Sequence, residues 1–201
     1  MSDERPKDPE PERHLRRARL DEAEQIQQLM RASIAALFPA FYDELQTASA
    51  VTYVGEVDRA LVEDGTYFVI EEEGYLVACG GWSRRDKLYT GSGVGAADAR
   101  LLNPATEPAR VRAMFVRPNR TRRGLGTWIL EACEEAALAE GFRRVALMAT
   151  LPGLQLYEHF GFEPGEWSEV RMPDGVTLTC VAMAKPLAVL EGNPPSRRRP
   201  P

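Results

Sequence analysis

Ala113-Met114-Phe115-Val116, followed by Arg120-Thr121-Arg122-Arg123-Gly124-Leu125-Gly126 and then by an amphipathic run from Thr127 to Glu140, reads as a strand, a basic glycine turn and a helix. The first turn of a helix leaves backbone N–H groups without intrahelical partners, and the helix dipole adds partial positive charge at the same end. An anion fits that spot. Gly124 and Gly126 carry no Cβ, so the backbone can approach a ligand and adopt dihedrals that other residues avoid. Arg120, Arg122 and Arg123 add charge, and a guanidinium can grip phosphate oxygens in pairs. Taken alone, the same residues also describe an ordinary solvated turn ahead of a helix.

Downstream, Gly141 closes the helix, Arg143 to Ala149 reads as a buried strand, and Pro152 to Phe160 as a short helix ended by Gly161. Strand, anion turn, helix, strand and helix thus follow in order. The turn Thr121-Arg122-Arg123-Gly124-Leu125-Gly126 after a Val-x-Pro strand end, with Leu156-Tyr157-Glu158-His159-Phe160-Gly161-Phe162 about thirty residues later, resembles the GNAT N-acetyltransferase superfamily. The resemblance covers Leu15 to Leu187 and is strongest from Val111 to Phe162.

That resemblance implies an α/β fold with a central mixed, mostly antiparallel sheet, flanked by helices and splayed open at the cofactor strand. Met114, Phe115 and Val116 would pair their backbone with the pantetheine arm of acetyl-CoA. Arg122, Arg123, Gly124, Leu125, Gly126 and Thr127 would supply the amides that hold the pyrophosphate. Thr150 stands where the family often has Asn, and Thr121 where it most often has Gln or Arg. Tyr157 matches the family tyrosine near the thioester sulfur, which can protonate the departing thiolate. The implied activity is acetyl transfer from acetyl-CoA to a primary amine, of a small molecule or a protein, by direct attack in a ternary complex. A non-catalytic acyl-CoA-binding or sensing module is the alternative.

Spacing alone reads Tyr157 differently. Gly153, Leu156, Tyr157 and Phe160 follow the i, i+3, i+4, i+7 stripe of a core-facing helix, which makes Tyr157 a core aromatic with its hydroxyl at the edge. A phenol is protonated at neutral pH and suits the role of proton donor. No residue qualifies as the general base. His14 and His159 read as surface residues, and Glu71, Glu72 and Glu73 beside Gly74 read as a turn between strands.

At 201 residues with 44% hydrophobic content, the chain can bury one sizeable core. The expected organisation is a charged, Pro-rich disordered tail over residues 1–14, an acetyltransferase domain over 15–187, and a Pro/Arg-rich disordered tail over 188–201. The net charge of -5 disfavours nucleic-acid binding, so the arginines at 120 to 123 are a local feature. Cys79, Cys133 and Cys180 fit neither zinc spacing nor a disulfide framework, and read as reduced core thiols of a cytoplasmic protein with no metal site. No run reaches the ~20 apolar residues of a membrane span, and residues 1–14 lack the apolar core of a signal. A homodimer is left open.

Along the chain, Leu15 to Leu20 reads as the first strand, and Asp21 as the cap of a helix reaching Leu37 with Ala23, Ile26, Leu29, Met30, Ile34 and Leu37 on its apolar face. An aromatic break, Phe38-Pro39-Ala40-Phe41-Tyr42, precedes a helical region from Ala48 to Glu63. Thr66–Glu71 and Tyr75–Trp82 read as a hairpin, and Thr177–Ala184 as a late strand. Phe38 to Tyr42 and the loop from Arg84 to Pro108, with Gly91, Gly93 and Gly95, are the segments the resemblance places beside the acyl acceptor, although Phe38, Phe41 and Tyr42 suit helix-junction packing equally well.

Overall fold

A computed structural model describes residues 11–87 and 100–188. Within them the chain forms seven strands: β1 (Arg13–Arg17), β2 (Tyr67–Glu72), β3 (Tyr75–Ser83), β4 (Ala109–Val116), β5 (Arg144–Thr150), β6 (Glu163–Arg171) and β7 (Thr177–Pro186). The α-helices are α1 (Ala23–Leu37), α2 (Glu44–Tyr53), α3 (Arg59–Glu63), α4 (Leu125–Ala139) and α5 (Leu154–His159). The strands make one sheet in the order β1-β2-β3-β4-β5-β7-β6. Every neighbouring pair is antiparallel except β4 and β5. This is the mixed, mostly antiparallel sheet that the resemblance implies.

A parallel pair needs a crossover, and α4 supplies it. Leu125, Ile129, Leu130, Cys133 and Ala137 form its buried stripe and join Phe68, Val77, Trp82 and Val111 in one core on that face of the sheet. On the opposite face Ile26, Leu29 and Met30 of α1 pack against Val69, Leu76 and Cys79. A third cluster, built from Ile34, Phe38, Tyr42 and Ala50 with Val170, Leu178 and Cys180, ties α1 and α2 to the β6–β7 end. The sheet is therefore covered on both sides, and any opening has to lie between strands.

That opening is at β4. It pairs with β5 only at Ala109↔Val145 and Arg110↔Ala146, whereas β5 stays paired with β7 from Arg144 to Thr150. Beyond Arg110 the two parallel strands part. The edge of β4 from Arg112 to Val116 that faces β5 is left without a strand partner.

Several expected boundaries move. β1 starts at Arg13, inside the segment expected to be a tail, because Arg13 pairs with Glu72 across the ladder and its Nε donates to Glu72 Oε2 at 2.7 Å. The helical region expected from Ala48 to Glu63 is two helices. α2 begins at Glu44 because Asp43 and Gln46 form a capping box: Gln46 N donates to Asp43 Oδ1 at 2.8 Å and Asp43 N to Gln46 Oε1 at 3.1 Å. It stops before Gly55, where a Cβ would lie 2.5 Å from the Val51 carbonyl oxygen, and Asp58 then caps α3. Asp21 is not the cap of α1; a short 3₁₀ turn over Leu20–Glu22 precedes that helix. β6 was not expected at all. The β2–β3 hairpin does turn at Glu73-Gly74, with φ of 53° and 80° at those residues, as a two-residue type I′ turn requires.

Candidate active site

The Gly80-Gly81 pair in the middle of β3 sets the shape of β4. The register between β3 and β4 shifts there, so that Ala113 and Met114 together face Gly80. A Cβ on Gly80 would fall 2.2 Å from Met114 Sδ, and one on Gly81 2.5 Å from the Thr66 carbonyl oxygen. β4 consequently bulges, and Ala113 takes a φ of 53°. A left-handed alanine costs about 1–2 kcal/mol. The buried Tyr67 hydroxyl offsets part of this by donating to the Ala113 carbonyl at 2.9 Å.

The parted strands enclose a cleft with a cavity volume of about 80 Å³. Met114 and Phe115 line it from β4, Met148 and Thr150 from β5, and Tyr157 from α5. Val54, Val170, Met172, Leu178 and Cys180 close the side nearest α2 and the β6–β7 pair. Val116 sits one position beyond the lining, at the end of the free β4 edge. Most of the wall is apolar, and no carboxylate belongs to it among the described residues.

Beyond the end of β4, the turn before α4 has a left-handed Arg122 (φ 62°) and a left-handed Gly124 (φ 76°) that caps the helix. Arg122, Arg123 and Gly124 are exposed, and a Cβ on Gly124 would meet nothing within 4 Å. Neither Arg122 nor Arg123 pairs with a carboxylate among the described residues. The two glycines do different things. Gly126 is buried in the first turn of α4, where a Cβ would lie 2.8 Å from Leu156 Cδ2 on α5. It is a packing glycine. Leu125 also turns inward, and only the backbone of these two residues belongs to the turn.

Arg120 is not free for an anion. Its Nε donates to Glu72, a buried carboxylate that also receives Arg13. Burial alone would raise the Glu72 pKa, but the two guanidinium groups hold it below the ordinary carboxylate value. The pair anchors the start of the turn to β2.

Tyr157 packs as the core aromatic that its spacing describes. It is buried, stands edge-on to Phe162 with ring centroids 5.8 Å apart, and packs over Gly153, where a Cβ would come within 2.7 Å of its Cε2. It also lines the cleft. Burial pushes its phenol pKa well above the usual value, so the proton stays in place at neutral pH. Glu71 pairs with Arg16 and Glu73 sits in the hairpin turn, so neither reaches the cleft. His14 and His159 are on the surface.

Phe38 and Tyr42 resolve as helix-junction packing. Both are buried, and the Tyr42 hydroxyl donates to the Thr179 carbonyl at 2.7 Å while accepting from Leu151 N at 3.0 Å. Phe41 is exposed. Gly91, Gly93 and Gly95 lie outside the described residues; of their loop, the Arg85↔Leu101 bridge and the Asp86–Arg100–Glu107 ion pairs are seen. Cys79, Cys133 and Cys180 are buried free thiols. Among the described residues there is no cluster of three metal-ligating side chains, and no helix long and apolar enough to cross a membrane.

Two site features escaped sequence reasoning, the β4 bulge with its Tyr67 clamp and a buried Arg112–Asp58 pair beside it. Adjacent glycines inside a strand were the available signal for the first. The second had none.

A splayed parallel pair, a bulged strand and a left-handed glycine turn opening the crossover helix now stand together, and the Acetyltransferase (GNAT) family model matches residues 26–162, which carry all three. The chain belongs to the GNAT acetyltransferase family. Its fold is similar to that of other GNAT structures. A GCN5-related N-acetyltransferase from Rhodopseudomonas palustris superposes with a TM-score of 0.64 at 21% identity, over 88% of this chain and 96% of the other. PaiA N-acetyltransferase of Thermoplasma acidophilum, solved with coenzyme A, gives 0.61 at 12% identity over 87% and 99%. YncA of Salmonella typhimurium, solved with acetyl-CoA, gives 0.57 at 16% identity over 92% and 99%.

Proposed function

We propose that this GNAT acyltransferase moves the acetyl group of acetyl-CoA to a primary amine by direct attack in a ternary complex, within one domain spanning roughly Leu15 to Leu187. The observation that carries the reading is the cleft where β4 leaves β5, with Tyr157 on its wall and the arginine-glycine turn following the free end of β4. Arg122, Arg123 and the amides from Gly124 to Thr127 would hold the pyrophosphate. The unpaired edge of Met114, Phe115 and Val116 would take the amide groups of the pantetheine arm as a neighbouring strand would. Thr150 would close that arm from the β5 side.

The chemistry asks for three things of the chain. The amine nitrogen would reach the thioester carbonyl carbon from the side of Val54 and Met172. As the new C–N bond forms and the C–S bond breaks, the electron pair passes to sulfur, and the Tyr157 hydroxyl would donate a proton to it. The amine must attack in its neutral form and then give the extra proton of the newly bonded nitrogen to water, because no carboxylate or histidine lines the cleft among the described residues, and Tyr157 would regain its own proton from solvent. That same absence favours a second reading, a binding or sensing module that holds acyl-CoA without turnover.

An amine panel containing amino acids, amino acid amides, polyamines, arylalkylamines and N-terminal peptides, assayed for free CoA thiol and for amide product by mass spectrometry, tests the proposal. At least one class should release CoA in proportion to acetylated product. Tight acetyl-CoA binding with no product from any class would favour the sensing module.

A further inference from the structure

Arg112 is a charged residue on the cleft that the chemistry above does not use. It lies on β4 immediately before the bulge, and its side chain is only 3% exposed. One amino group, Nη2, donates to Asp58 Oδ2 at 2.5 Å. Its Nε has no hydrogen-bond partner, although it is buried. Asp58 is equally buried and is also shared by Lys87 Nζ at 3.3 Å and by the capping hydrogen bond from Ala60 N at 3.2 Å. Two cations thus share one carboxylate, and of the three groups only Arg112 belongs to the cleft wall, where no carboxylate accompanies it among the described residues. A buried guanidinium with an idle donor is costly unless a ligand completes it. Burial accordingly pulls the Arg112 pKa down, against the pull of Asp58.

The rest of that side is apolar: Val54, Phe115, Met148, Val170, Met172 and Leu178. A polycation would meet a positive corner and greasy walls, and would find no carboxylate. An apolar body carrying an amine and an anionic group matches every part.

We propose that Arg112 is the specificity residue for the acceptor, receiving a carboxylate, and that the acceptors are amino acids with apolar side chains in their free-acid form. This rests on the acetyl-transfer reading for the amine, whereas the anion site itself does not. With the acid seated, Arg112 shares its charge between Asp58 and the ligand, and the apolar walls take the side chain. Polyamines and amidated amino acids are then poor acceptors.

The test separates the two claims by measuring binding and turnover independently. N-acetyl-L-phenylalanine and its primary amide are titrated calorimetrically into the protein saturated with CoA. The acid should bind about ten- to a hundredfold more tightly than the amide, the range expected for a charge-assisted hydrogen bond to a buried group. Arg112→Met should abolish that preference. Asp58→Asn, which retains a capping side chain and frees the guanidinium, should keep or enlarge it. Equal affinity for acid and amide in the parent, no binding of the acid at millimolar concentration, or a preference that survives in folded Arg112→Met overturns the proposal. In turnover, L-phenylalanine should exceed L-phenylalaninamide and spermidine in kcat/KM by a similar factor. If the amide or spermidine is acetylated as well as the acid, the carboxylate site fails while acetyl transfer stands. If the acid product binds selectively but no acceptor in the broader panel turns over, acetyl transfer fails while the anion site stands.

Discussion

Gly126→Ala probes the link between the anion turn and the helix that carries Tyr157. The added Cβ would lie 2.8 Å from Leu156 Cδ2, well inside van der Waals contact, and Leu156 precedes Tyr157 on α5. Overpacking of this kind typically costs about 1–3 kcal/mol. A leucine methyl can swing aside, so the low end of that range applies, or a fall in Tm of roughly 2–4 °C for a domain of this size. Gly124→Ala should cost a similar amount for another reason: its Cβ meets nothing within 4 Å, but a φ of 76° costs a non-glycine residue about 1–2 kcal/mol. Leu156→Ala distinguishes the two. Combined with Gly126→Ala it vacates the site of the clash, and a double-mutant cycle read by thermal or denaturant unfolding should return a favourable coupling of about 1 kcal/mol or more. Combined with Gly124→Ala it should return none. If the costs of Gly126→Ala and Leu156→Ala simply add, Gly126 is not a packing glycine and its place belongs to the anion turn.

Glu72→Gln should release Arg120 and Arg13, lower stability and weaken acetyl-CoA affinity severalfold, measured by unfolding and calorimetry. Because the folded pKa of Glu72 is depressed, its contribution is present above the unfolded value of about 4.5 and is lost as pH falls through the folded one, so the parent should show a drop in Tm in acid that the variant lacks. Because burial raises the Tyr157 pKa, kcat with any accepted amine should show no descending limb from this residue below about pH 10. Burial also pushes the Cys180 thiol, on the cleft wall, up to about 12, so iodoacetamide at pH 8 should label it only after unfolding, as followed by mass spectrometry.

The elements that sequence made legible are those whose periodicity is set by burial on one face. α1, α4 and the β2–β3 hairpin carry clean apolar stripes and a left-handed turn, and they lie close to where the sequence places them. β6 shows what hides a strand. It is an edge strand with Pro164 and Gly165 near its start and Val170 as its one buried residue, so it lacks the alternation that marks a strand. α2 was misplaced because its start is written in a polar capping box instead of an apolar stripe. At the site, the turn from Arg122 to Gly124 and the position of Tyr157 were legible because local chemistry and spacing define them. Arg120 was not, since its engagement by Glu72 joins residues 48 positions apart. The Arg112–Asp58 pair was hidden for the same reason, and the closeness of Gly126 to Leu156 is a contact between helices that no local pattern encodes.

Tyr157→Phe tests the account most directly, because it keeps the ring that packs on Phe162 and Gly153 and removes only the hydroxyl of this cleft-lining residue. With the best acceptor from the amine panel, kcat should fall by about 10²- to 10⁴-fold while the calorimetric affinity for acetyl-CoA and the Tm stay near the parent values. An unchanged kcat beside a parent that clearly turns over would contradict it, and would leave Tyr157 a core aromatic whose hydroxyl takes no part in the transfer.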